Sequence, residues 1–349
     1  MRTVVGTMTG TSMDGVDAVA INIEGYGESM SATFEKMASC DLGDARAVLQ
    51  KLAIHGGSQA EMDEAALLVG EITAKAISNL GIDAIDLIAL HGQTVYHNPP
   101  TSIQLIDTLP ITTLYPCTVL TDPRQADLQL GGQGAPITPL ADWIMFRSSE
   151  LSTAIVNLGG FCNVTLLPAN CRANQIMGFD VCCCNLLLNA IARERLGAEF
   201  DQDGNTALQG TVDDKASTLL FEYLSEQSIE QRSLGSNDGL GEYALQIGRH
   251  LSTEDLLASA TKAIGTAIYG SMSAQRLLLA GGGVHNKALV NALPNNGTTE
   301  ILGVPTQARE AMGMAILGAL AQDGVSITLP QTTGRRETTE VVGWTQASP

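Results

Sequence analysis

Charge is scarce in this chain: Asp, Glu, Lys and Arg together make up 16% of the 349 residues, against about a quarter in ordinary soluble proteins. Cations are the scarcer sign, 19 Lys and Arg against 37 Asp and Glu, for a net charge of −18. A field of that sign repels nucleic acid and anionic membrane surfaces, since both require clustered cations. Small phosphorylated ligands are not excluded, because backbone N–H groups, a bound cation and one or two local arginines suffice to hold them. No stretch approaches the ~18 consecutive apolar residues of a membrane span. Met1 to Gly10 turns polar and glycine-rich too early for a secretory signal, so a cytoplasmic protein is expected. Paired cysteines are missing too. The seven cysteines are odd in number and three are adjacent, Cys182, Cys183 and Cys184, which argues against a disulfide framework and fits reduced thiols.

Hydrophobic residues, at 44%, are sufficient for a sizeable core, and 36 glycines punctuate the chain. At roughly 150 residues per domain the length predicts two domains. Val4-Val5 leads into a glycine- and hydroxyl-rich turn, Gly6 to Gly15, followed by a strand-like run from Val16 to Ile23. Glycines there permit positive φ and the close backbone approach that a turn around an anion needs. It is not a Walker A loop, since no Lys follows the glycines and strand, not helix, comes next. Half a chain later Ala154 to Leu158, Gly159-Gly160 and Val164 to Leu167 repeat strand, glycine turn, strand. Two such hairpins read either as a duplicated architecture with a cleft between its halves or as two unrelated turns. Helical spacing runs over Gln59 to Leu80 and Glu310 to Ala321, and a helix is predicted from Thr253 as N-cap. Leu87 to Leu90 and Leu277 to Ala280 read as buried strands. Strands alternating with helices predict an α/β protein.

Polar and glycine residues cluster where these strands end, which is where α/β sheets bind ligands. Arg124, one of few cations, is suited to forking onto a carboxylate or phosphate, with a surface ion pair to Asp122 or Asp127 as the plainer alternative. Asp180 follows an apolar strand end and precedes a Leu-rich helix, and it reads equally as a general base, a metal ligand or a helix N-cap. His91 and His97 lack a third ligand at zinc spacing and read better as hydrogen-bonding core residues. The cysteine triplet reads as buried small hydrophobes.

Taken together, Gly6-Thr7-Met8-Thr9-Gly10-Thr11-Ser12-Met13-Asp14-Gly15-Val16-Asp17, His91-Gly92-Gln93-Thr94-Val95-Tyr96-His97, Gly131-Gly132-Gln133-Gly134-Ala135-Pro136, Asn157-Leu158-Gly159-Gly160 and Gly281-Gly282-Gly283-Val284-His285-Asn286 closely resemble the motifs of anhydro-N-acetylmuramic acid kinases, in the family order across nearly the whole chain. The resemblance implies a two-domain, duplicated actin-like ATPase (ribonuclease H-like) fold with an interdomain cleft. Its expected domains are 1–140, joined by the tail 335–349, and 141–334. It further implies ATP with Mg²⁺, a homodimer, and a role in recycling cell-wall amino sugars, the enzyme opening the 1,6-anhydro ring and phosphorylating O6. Carried over residue by residue, Asp180 is the catalytic base. Gly10, Thr11, Ser12, Met13, Asp14, Gly15 and Asp17, with Gly159, Gly160, Gly281, Gly282 and Gly283, hold the nucleotide, while His91, Gln93, Asp122 and Arg124 line the sugar side.

The chain also departs from the pattern. After the catalytic Asp the family reads Thr-Gly-Pro-Gly-Asn, whereas here it is Val181-Cys182-Cys183-Cys184-Asn185; Asn189 replaces an Asp, and a cation is missing around Ser233 to Asp238. Cysteine in place of glycine is expected to strain any position of positive φ, by about 1–3 kcal/mol. The alternative expectation is therefore a family member of weak or absent activity that binds nucleotide and amino sugar.

Overall fold

The computed structural model describes residues 1–10, 13–229, 234 and 239–347. The chain divides into two compact units, Met1–Phe146 with Gly303–Pro349, and Arg147–Leu302. The segment 303–334, expected in the second domain, packs with the first, because its long helix lies on the first sheet.

In chain order the first unit contains β1 (Arg2–Thr9), β2 (Gly15–Glu24), β3 (Ser31–Asp41), α1 (Ala45–His55), α2 (Gln59–Asn79), β4 (Leu87–Leu90), β5 (Gln93–Asn98), β6 (Thr101–Leu105), α3 (Leu109–Leu114), β7 (Thr118–Thr121), α4 (Gln125–Gln129) and α5 (Pro139–Phe146). The second contains β8 (Thr153–Leu158), β9 (Phe161–Leu167), β10 (Met177–Cys183), α6 (Asn185–Leu196), α7 (Asp214–Ile229), α8 (Gly241–Ile247), α9 (Thr253–Gly270), β11 (Arg276–Ala280) and α10 (Lys287–Asn291). The chain then returns to the first unit as α11 (Arg309–Gln322), α12 (Pro330–Thr333) and β12 (Thr345–Gln346).

The first sheet runs β12-β7-β4-β1-β2-β3, with β1, β4 and β7 mutually parallel and β1-β2-β3 antiparallel. The second runs β10-β9-β8-β11, with β8 and β11 parallel and β8-β9-β10 antiparallel. Reversed, the second order is the β4-β1-β2-β3 part of the first. This is the duplicated α/β architecture that the two glycine hairpins suggested.

Helix α2 starts where the periodicity placed it and is closed by a capping box between Ser58 and Glu61. In α9 the cap is Ser252, whose hydroxyl accepts the Asp255 N–H, and the predicted cap Thr253 is the first helical residue. Helix α11 crosses β1 at Gly6, where a Cβ would overlap the Ala311 carbonyl oxygen and the Ala315 nitrogen. It is tied to α5 by the buried Arg309–Asp142 ion pair. Among the described residues no helix is long and apolar enough to cross a membrane.

Candidate active site

In the first unit the residues expected on the sugar side gather near the carboxyl ends of the parallel strands. His91 follows β4 and donates its backbone N–H to the Thr7 carbonyl of β1, while Asp122 and Arg124 follow β7. Gln93 opens β5 and donates through Nε2 to the Gly10 carbonyl at 3.3 Å, which ties this group to the turn between β1 and β2.

His91 is buried, and its Nε2 accepts from Arg124 at 3.1 Å and from Gln104 at 2.8 Å. Burial, followed by the neighbouring Arg124 charge, pushes its pKa down to about 3. The ring is therefore neutral with Nε2 as acceptor, which leaves that nitrogen no lone pair for a metal. A second branch of the Arg124 guanidinium donates to the Gly134 carbonyl at 2.7 Å. Asp127 does not serve Arg124 as an ion-pair partner. It lies fully buried and binds the Gly134 amide, the Thr333 hydroxyl and Arg335. Asp122 takes a positive φ of 57°, and burial raises its carboxyl pKa against the opposing hydrogen bonds from Gln125 and Arg124.

Several buried polar atoms in this group meet no hydrogen-bond partner, among them Thr7 Oγ1, Thr9 Oγ1, Gln93 Oε1, Gln104 Oε1 and Asp122 Oδ1. Unsatisfied buried polar atoms cost free energy, and so many in this group suit a ligand rich in hydroxyl or amide groups. Gln104 was missed in the sequence because it lies on β6, outside every motif. Only its pairing opposite Thr94 brings it to His91.

The turn between β1 and β2 corrects one expectation. Among the described residues of this turn positive φ falls on Met13, at 52°, and not on Gly15. Gly15 is required for a different reason, since a Cβ there would sit 2.8 Å from the Cys40 carbonyl oxygen of β3. Asp14 is exposed, and Asp17 accepts from Ser39 at 2.5 Å while burial raises its pKa. Thr11 and Ser12 lie outside the described residues, as do Ser233 and Gly235 to Asp238.

In the second unit Gly159 and Gly160 form the two-residue turn of β8 and β9, again without positive φ. Their carbonyls cap the start of α6, Gly159 accepting from Asn185 and Gly160 from Cys184 and Leu186. Gly281 does take positive φ, 79°, and a Cβ on Gly283 would sit 2.6 Å from that of Leu158, so the triple glycine lies tight on the end of β8. Gly282 alone of the three is exposed, with nothing within 4 Å of where its Cβ would be. Asn185 joins the two turns by donating through Nδ2 to the Leu158 carbonyl at 2.9 Å.

Asp180 is not a helix cap. Strand β10 runs on through Cys183, with an irregularity in its pairing between Asp180 and Cys182, and the residue at the cap position of α6 is Cys184. The half-buried Asp180 carboxylate accepts the Leu234 N–H at 2.8 Å. The expected strain behind it is not found: none of Val181 to Cys184 has positive φ, and all four are fully buried in the core of this unit. Burial holds the Cys182 and Cys184 thiols protonated, with pKa values raised well above the ordinary range.

The sequence model described as anhydro-N-acetylmuramic acid kinase matches residues 2–345. The anhydro-N-acetylmuramic acid kinase of Salinibacter ruber is 31% identical over 370 residues, covering 95% of this chain and 93% of that one. That of Shewanella amazonensis is 33% identical over 362 residues, 95% of each chain. Among solved structures, the activator of the 2-hydroxyisocaproyl-CoA dehydratase from Clostridium difficile with bound ADPNP aligns over 92% of this chain and 96% of that one, at 12% identity and a TM-score of 0.46.

Proposed function

The chain belongs to the anhydro-N-acetylmuramic acid kinase family, and from that membership we propose how its residues divide the work of the family reaction. Water forms a bond to the anomeric carbon of the 1,6-anhydro sugar as the bond from that carbon to O6 breaks. Asp180 accepts the proton that water loses. The released O6 attacks the γ-phosphorus of MgATP, ADP departs, and N-acetylmuramic acid 6-phosphate results. The observation that supports this reading is the half-buried Asp180 carboxylate on β10, held by the Leu234 amide and suited by its chemistry to accept a proton from water.

Nucleotide is assigned to the backbone-rich turns, 10–15 with Asp17 in the first unit and Gly159, Gly160 and 281–283 in the second. The support is the glycine backbone at Gly159, Gly160 and Gly281 to Gly283, where no side chain intervenes, with Gly282 having nothing within 4 Å of where its Cβ would be. The sugar is assigned to His91, Gln93, Asp122 and Arg124, where unmatched hydrogen-bonding atoms concentrate. Mg²⁺ enters with ATP as part of the substrate. A cytoplasmic homodimer that recycles cell-wall amino sugar completes the proposal, and sedimentation of the purified chain tests the oligomer.

The decisive experiment incubates the purified protein with ATP, Mg²⁺ and 1,6-anhydro-N-acetylmuramic acid in ¹⁸O-water. The product is expected to carry phosphate on O6 and the label at the anomeric hydroxyl. Asp180→Asn should lower kcat by about 10³-fold or more, of the size expected when a general base is lost together with its charge. Equal turnover by both proteins would remove Asp180 from the mechanism.

A further inference from the structure

The loop Gly131 to Pro136 is folded around a buried carboxylate that no step of the reaction uses. Asp127, on α4, accepts the Gly134 N–H through Oδ2 at 2.8 Å and the Thr333 hydroxyl through Oδ1 at 2.7 Å, with Arg335 Nε 3.6 Å from Oδ1. A Cβ on Gly132 would overlap this carboxylate, and one on Gly134, at φ 68°, would press on Leu128 and on the Cβ of Arg124. The C-terminal segment holds the loop from outside, since Gln133 donates its N–H to the Thr333 carbonyl and Arg336 to that of Leu130.

The same residue meets the sugar-side cation through its next peptide unit: the Gly134 carbonyl takes one branch of Arg124, and His91 Nε2 takes another. Both acceptors are neutral and orient the guanidinium, and the Asp122 carboxyl lies within electrostatic reach of it. We propose that Asp127 is a positioning residue of the acceptor site, clamping Gly134 so that its carbonyl and His91 fix Arg124 in one pose. The inference rests on the reading that Arg124 faces the sugar. It adds the residue, and through Thr333 and Arg335 the C-terminal segment, that makes Arg124 a rigid contact instead of a mobile one.

The test is a double-mutant cycle with separate KM values for sugar and ATP, and melting temperatures for every protein. Asp127→Ala should raise the sugar KM about tenfold, roughly 1.4 kcal/mol, and leave the ATP KM within about twofold. Asp127→Asn, which keeps an oxygen for the Gly134 amide, should recover most of the loss. In an Arg124→Ala background Asp127→Ala should add nothing, because coupled residues are non-additive. A loss of stability alone would lower the active fraction, and hence kcat, without moving the sugar KM. Additive losses in the double variant, or a sugar KM that stays put while the melting temperature falls, overturn the proposal. If Arg124→Ala leaves the sugar KM unchanged, the sugar-side reading fails and this inference with it. Should Asp127→Ala not fold, Thr333→Val removes one tether of the carboxylate and is expected to raise the sugar KM about threefold in the wild-type background only.

Discussion

In the first unit, β1 and β2 form a hairpin, β3 pairs antiparallel on one side and β4 parallel on the other. In the second, β8, β9, β10 and β11 repeat that arrangement strand for strand. The hairpin turns differ in length, Gly10 to Asp14 in one and only Gly159 and Gly160 in the other. The strand ends differ in chemistry. In the first unit buried, unmatched oxygens of Thr7, Thr9, Gln93, Gln104 and Asp122 gather near the strand ends, while in the second those on Thr261 and Thr299 lie off the strands, the end of β8 meets glycine backbone and β10 carries one carboxylate. One topology therefore serves two tasks, because the sheet fixes where strand ends lie but not what they present. Under the proposed function, the first unit would take the hydroxyl-rich ligand and the second would supply backbone contact with phosphate and the proton acceptor.

The comparison is broken most severely through the glycines. Gly6→Ala would drive a Cβ into the backbone of α11 and is expected to lower stability by about 3 kcal/mol or more, with Gly283→Ala, against Leu158, costing about 2 kcal/mol. Gly282→Ala, with open space around it, should stay within about 0.5 kcal/mol of the wild type. Urea unfolding midpoints separate these cases, and a Gly282→Ala loss as large as that of Gly283→Ala would refute the open cradle.

A smaller effect follows from the neutral His91. Its folded pKa is depressed to about 3, so between that value and the unfolded value of about 6.5 the unfolded chain holds a proton that the folded one refuses. Stability therefore falls as pH drops through this window, by about 1.4 kcal/mol at a pH one unit below the unfolded pKa. His97, depressed to about 4, acts in the same direction. Melting temperature against pH should be flatter for His91→Gln than for wild type, and identical slopes would mean that the imidazole is not buried as described.

The mildest change expected is Cys184→Ala, a loss of about 1 kcal/mol with turnover retained. Native Cys182 and Cys184 should resist alkylation until the protein is unfolded, because both are buried and protonated. Loss of turnover on this substitution, with stability intact, would give the triplet a role in the second unit's chemistry beyond packing.

Much of the fold was legible because strand and helix patterns are local. The periodicity of Gln59 to Leu80 and the buried runs Leu87 to Leu90 and Leu277 to Ala280 correspond to α2, β4 and β11. Other readings depended on geometry that no window of sequence contains. Glycine suggested positive φ at both hairpins, yet among the described residues of these turns only Met13 adopts it, and Gly15, Gly159 and Gly160 answer to close approach instead. The strand through Asp180 continues to Cys183, and the cysteines are buried in the core of this unit, a fit that the glycine-containing family pattern does not foretell. Gln104 lay outside every motif and reaches His91 only through the register of β5 and β6.

What the sequence alone determined is the set of parts: an acidic chain poor in cations, two glycine hairpins, alternating strands and helices, and the family motifs that single out Asp180 and Arg124. These follow from residue type and short spacing, which act within a few residues of the chain. The tertiary structure decided which parts meet. It carried 303–347 back to the first sheet, brought Thr333 onto Asp127 across 206 residues, and buried the three thiols in the core. Such contacts are selected by burial and hydrogen-bond satisfaction over the whole fold, a physical criterion that exists only once the chain has closed on itself.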